Sequence, residues 1–132
     1  MISHVFLGTN DFGRALAFYR PLMAALGHRE RFCEPSRPWA AWEPSPGARP
    51  LFVIGRPFDG EAAAAGNGQM TALLAPDRAT VDRLHALALS LGGADEGAPG
   101  LRPHYHPHYY GAYFRDPDGH KLCVVCHRPE PA

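Results

Sequence analysis

The interval from His4 to Gly27 equals the interval from Gln69 to Gly92, and both carry the same succession of signals. In each, a short strand-patterned run leads to a helix-capping Asn or Asp, an apolar stripe at helical spacing and a closing glycine. The first copy has Ile2–Gly8, a cap at Asn10 or Asp11, the stripe Phe12, Ala15/Leu16, Tyr19, Met23 and Leu26, then Gly27. The second has Gln69–Ala75, a cap at Asp77, the stripe Val81, Leu84, Leu87/Ala88 and Leu91, then Gly92-Gly93. Short strand-like runs follow each glycine, so the repeated unit reads as β-α-β-β-β. It covers about 1–56 and 67–128, with a connector at 57–66, inside one domain spanning 1–132. On this count His4 and Gln69 occupy equivalent places, as do Gly55 and Cys123.

Inside the first copy, Gly27–Cys33, Pro38–Glu43 and Arg49–Gly55 are strand candidates separated by turn residues. Pro21 lies within the helical stripe and removes one backbone hydrogen bond, which predicts a kink or a break. In the second copy, residues 97–108 are rich in Gly, Pro and His and read as a loop where binding groups can collect. Tyr109–Phe114 and Lys121–Val125 flank Asp116-Pro117-Asp118-Gly119, a turn sequence that closes a hairpin.

Lys plus Arg and Asp plus Glu each number 13, so no basic field for nucleic acid or anionic lipid exists. There is no apolar run of membrane-spanning length, and Met1–His4 lacks the pattern of a signal peptide. The 3 cysteines do not suit a disulfide framework, and the expected location is the reducing cytoplasm.

At His4-Val5-Phe6-Leu7, at Asp11 with Ala17-Phe18-Tyr19, and at Asp116-Pro117-Asp118-Gly119-His120-Lys121-Leu122, the chain resembles the vicinal oxygen chelate superfamily. That group holds glyoxalases, bleomycin-resistance proteins and extradiol dioxygenases. The resemblance implies an α+β fold in which two tandem β-α-β-β-β modules form a curved mixed sheet around a cleft. It also implies a homodimer and a small organic ligand. Four metal positions of the family carry over as His4, Gly55, Gln69 and Cys123. His4, Gln69 and Cys123 are therefore the candidate ligands of one divalent metal ion, zinc or nickel, with a metal-free protein as the alternative. Gly55 has no donor, Cys123 stands where the family places glutamate, and no general base is identifiable.

Trp39 and Trp42 sit three apart and face opposite ways on a strand, so one can line the cleft while the other packs inward. Arg102, His106 and Tyr110 complete the candidate ligand-binding set. His104, His106 and His108 alternate, but Pro103 and Pro107 oppose a regular strand that would align them. Cys123-Val-Val-Cys126-His127 matches a haem-attachment pattern, which strand geometry opposes because the two thiols diverge. Three functions remain open: a glyoxalase-like metal-assisted lyase or isomerase, a metal-free small-molecule binder of the bleomycin-resistance type, and a non-catalytic structural domain.

Overall fold

The computed structural model describes residues 1–131. The first module contains β1 (His4–Gly8), α1 (Phe12–Ala25), β2 (Arg29–Glu34), β3 (Trp39–Glu43) and β4 (Leu51–Gly55). The second contains β5 (Thr71–Leu74), α2 (Arg78–Ser90), β6 (Ala94–Leu101), β7 (Tyr110–Arg115) and β8 (Lys121–Cys126). Each module builds a four-stranded sheet, in the orders β1-β4-β3-β2 and β5-β8-β7-β6. In both, the strand before the helix pairs parallel with the last strand, and the other pairings are antiparallel. The fold expected from the sequence is the fold observed.

The two helices begin and end by the same chemistry. Asp11 accepts from the Arg14 amide at 3.0 Å and Asp77 from the Thr80 amide at 2.7 Å, so each satisfies a donor the helix leaves open. At the far ends, His28 N–H donates to Met23 O and Gly93 N–H to Ala88 O, both at 2.9 Å. These bonds require the left-handed backbone that Gly27 (φ 78) and Gly92 (φ 99) adopt.

The modules differ in one respect that matters. α1 has 14 residues and α2 has 13, so equivalences counted from the closing glycines are displaced by one at the strands. Counted back from the caps Asp11 and Asp77, His4 corresponds to Met70, not to Gln69. Phe6 then corresponds to Ala72; Phe6 lies opposite Val53 and Ala72 opposite Cys123. The partner of Cys123 in the repeat is therefore Val53, not Gly55.

α1 runs unbroken through Pro21, against the expected kink or break. Its inner face, Phe18, Tyr19, Leu22 and Met23, is at most 1% exposed. Burial of about 1.5–3 kcal/mol per large side chain outweighs a proline penalty of about 3 kcal/mol. Pro21→Ala is accordingly expected to stabilise the protein by about 1–3 kcal/mol in urea denaturation, since the inner face is untouched and one amide donor is restored.

Residues 97–101 are not loop. They belong to β6, which pairs with β7 through irregular register between Asp95, Gly97 and Gly100. Pro99 is accommodated because β6 is an edge strand.

One core spans both modules. It joins α1 and Trp42, Phe52 and Ile54 of the first to α2 and Phe114, Leu122 and Val124 of the second. The Phe18 and Phe114 rings are 6.1 Å apart. On the other face of the first sheet a small cluster forms from Ala41, Leu51 and Val53 under Phe32 and Trp39. Among the described residues no helix is long and apolar enough to cross a membrane.

Candidate functional site

The Asp116–Gly119 turn ties the second module to the end of β1 by hydrogen bonds, alongside the shared core. Asp118 accepts from Thr9 Oγ1 at 2.6 Å, from the Asn10 amide at 3.0 Å and from Arg14 at 2.9 Å. His120 Nε2 lies 2.7 Å from Gly8 O. The end of β1 is thereby fixed against the start of β8. Edge strands β1 and β5 flank one narrow cleft lined by Val5, Phe6, Leu7, Met70 and Thr71.

Strand alternation decides which side chains can meet a ligand. Leu7, Trp42, Phe52, Ile54, Leu73, Phe114, Leu122 and Val124 point toward the helices and fill the core. His4, Phe6, Gly8, Trp39, Val53, Gly55, Ala72, Tyr113 and Cys123 lie on the opposite, open face. There a cleft of ≈ 720 Å³ is lined by His4, Phe6, Gly8, Pro57, Phe58 and Ala62–Ala64. The connector that forms its wall is pinned by Asn10, which donates to Ala63 O at 3.0 Å and accepts from Ala63 N–H at 2.7 Å.

The positions implied for a metal do not make a donor set. His4 is exposed, with Nδ1 2.9 Å from Ser3 Oγ. At Gly55 a Cβ would stand 2.9 Å from Trp39 Cβ and 3.2 Å from the Phe6 ring, so the site admits glycine and no donor side chain. Gln69 precedes β5 and its side chain lies against Gly66. Met70 and Val53, the positions that the strand register relates to His4 and Cys123, offer a thioether and no donor. Cys123 is 0% exposed beneath Tyr109, whose hydroxyl is 3.5 Å from its sulfur. Burial pushes the thiol pKa up, which opposes the thiolate a metal would need. Among the described residues no three His, Cys, Asp or Glu side chains are grouped to hold an ion. The residues present do not fit the divalent metal implied by the resemblance.

The ligand-binding candidates separate as well. Trp39 is on the open face, its ring 4.5 Å from Phe32. Trp42 is buried among Tyr19 and Phe52 on the helix side, and so is removed from the cleft. Tyr110 also points to the helix side, where its hydroxyl donates to Asp82 of α2 at 2.6 Å beneath Arg78. His106 Nε2 lies 2.8 Å from His127 Nδ1, and its Nδ1 accepts from the His108 backbone N–H at 3.1 Å, so the ring is engaged away from the His104 and His108 side chains. Arg102 reaches the open face, 5.5 Å from the Tyr113 ring centre.

Sequence reasoning passed over Tyr109, Tyr113 and Lys121. Tyr109 and Tyr113 share a hydrogen bond of 2.9 Å over Cys123, and the Lys121 ammonium is 5.6 Å from the Tyr113 ring centre. Their signal was present: Tyr109, Gly111 and Tyr113 alternate, and a Cβ at Gly111 would come within 2.8 Å of the Tyr109 ring. The glycine exists to seat that tyrosine.

Two β-α-β-β-β modules sharing one core and presenting an open face define a scaffold that supports many chemistries. The chain belongs to the Glyoxalase/Bleomycin resistance protein/Dioxygenase superfamily, whose family model matches residues 1–124. A glyoxalase/bleomycin resistance protein from Albidiferax ferrireducens T118 is 34% identical, with 96% of this chain and 98% of that chain covered and a TM-score of 0.85. A lactoylglutathione lyase from Agrobacterium tumefaciens is 22% identical over 96% of this chain and 92% of that one, TM-score 0.64. A glyoxalase-related enzyme from Fulvimarina pelagi is 18% identical over 96% and 87%, TM-score 0.70. The last two show the fold alone. Among curated proteins no sequence matches the chain.

Proposed function

We propose that this protein binds a small organic molecule on its open face without a resident metal ion, as a binding or sequestering member of its superfamily. The observation that carries the reading is the closed Cys123 position. The thiol is 0% exposed and capped by Tyr109, and its partner position in the repeat is Val53. Without donors at those two places, His4 has no set of ligands to join. What remains is a largely apolar surface, with Phe6 and the exposed Phe58 beside His4 and Asp59 in the ≈ 720 Å³ cleft, suited to a planar ligand.

Two further expectations go with the reading. Ile2, Phe6, Met70 and Leu74 are exposed on or just before β1 and β5, which supports a homodimer, and 3 free thiols suit a reducing cytoplasm.

The test is metal content by mass spectrometry on untagged protein, for wild type and His4→Ala, joined to thermal shifts against a panel of planar organic compounds. Far less than one metal per subunit in both proteins, with saturable shifts for some compounds, is expected. About one zinc or nickel per subunit, lost in His4→Ala, would overturn the reading in favour of a metal-assisted lyase.

A further inference from the structure

We propose that Tyr113, Arg102 and Lys121 form a receptor for the oxyanion of a small organic acid, a specific assignment that rests on the open face being the ligand-binding face. The first support is a count of hydrogens. Cys123, Tyr109 and Tyr113 are linked by two contacts, sulfur to hydroxyl at 3.5 Å and hydroxyl to hydroxyl at 2.9 Å. Three heteroatoms bring three hydrogens, and two contacts use two of them. Burial raises the pKa of all three groups, so all three keep their protons at neutral pH. Either group can donate in each contact; in the arrangement that runs outward from the enclosed thiol, the Tyr113 O–H is left to donate away from the sheet.

The second support is charge. Tyr113 lies on β7, and a cation reaches it from the strand on either side: Arg102 follows β6 and Lys121 opens β8. Among the described residues neither has a carboxylate within salt-bridge distance, while Arg14, Arg20, Arg31 and Arg115 all do. Arg115, the register partner of Lys121 across β7 and β8, is bound to Glu96 at 2.6 Å.

The third is construction. The Arg102 guanidinium donates to Ala98 O at 2.8 Å and lies along two glycines. A Cβ at Gly97 or Gly100 would come 3.3 or 3.1 Å from its nitrogens. An arginine held this way has already lost its rotamer freedom, so it can bind a carboxylate supplied from outside at less entropic cost.

The test is calorimetric titration of the full chain at low salt with benzoate, phenylphosphonate and neutral benzamide. Benzoate is expected to bind at least about tenfold more tightly than benzamide, and to weaken by about tenfold in Arg102→Gln and in Lys121→Gln. Arg102→Lys, which keeps the charge, recovers part of the loss, and Tyr113→Phe weakens the anions without changing benzamide. Tighter binding of phenylphosphonate than benzoate would support the receptor and assign it to the dianionic oxyanion. Equal binding of benzoate and benzamide would overturn the receptor while leaving a ligand-binding face. Anion binding unaffected by the Arg102 and Lys121 substitutions, in variants whose melting temperatures match wild type, would overturn it as well.

Discussion

Replacing Asp116 with alanine is expected to cost roughly 3–5 kcal/mol of folding stability, the largest effect of any single polar substitution here. The carboxylate is 5% exposed and satisfies three donors. Tyr19 Oη donates to one oxygen at 2.5 Å, and the amides of Asp118 and His120 donate to the other at 3.0 and 2.9 Å. Alanine strands all three. Because Tyr19 belongs to α1 and the amides to the turn before β8, the loss also loosens the contact between modules. Tyr19→Phe removes one of the three bonds and is expected to cost about 1.5–3 kcal/mol. A double-mutant cycle in urea should find the two effects strongly non-additive. Additive losses would mean that Tyr19 and Asp116 act separately.

Asp116 also imposes a pH dependence. Burial raises its pKa above the usual aspartate value, although the Tyr19 and His120 bonds oppose this. The folded state therefore holds the proton better than the unfolded chain. Its contribution is complete below the unfolded pKa, about 3.9, and is lost as pH rises through the folded value. Asp116→Asn should lack that decline, so the stability difference between the two proteins should change with pH over that range.

The second large effect is at Cys123. Installing the family's glutamate there, Cys123→Glu, is expected to destabilise the protein by at least about 3 kcal/mol and to recruit no zinc or nickel. The thiol sits at 0% exposure on the face opposite Leu122 and Val124, with Tyr109 above it. A longer, charged side chain must either displace that ring or stay buried without a partner. Adding Tyr109→Ala opens the site, so the double variant should recover part of the lost stability. A Cys123→Glu protein as stable as wild type, or one that copurifies with stoichiometric metal, would contradict the closed site described above.

The elements that could be read directly were those announced by local chemistry. Asp11 and Asp77 cap helices, Gly27 and Gly92 end them, and the Asp116–Gly119 turn closes a hairpin. Each signal works through neighbours a few residues away, so no tertiary information is needed. The duplication followed from the recurrence of those signals. Its register did not, because the residue missing from α2 displaces the two ends of the repeat differently, and only the strand pairing shows that Met70 and Val53 are the positions concerned. Pro21 and the Pro-containing stretch read as loop at 97–108 were misleading for a related reason: burial in the one case, and an edge position for residues 97–101 in the other, outweighed the local preference.

The same limit governed the site. Trp39 and Trp42 were known to diverge, but which of them faces the helices depends on where α1 packs. Tyr110 was assigned to the cleft and its neighbours Tyr109 and Tyr113 were passed over, a one-residue choice that inverts with strand register. Backbone conformation, caps and turns are decided within a few residues, and this chain states them openly in its own order of amino acids. Which face is open, which thiol is sealed and which cations flank Tyr113 are decided by contacts between strands far apart in the chain, and those exist only once the two modules have closed on their common core.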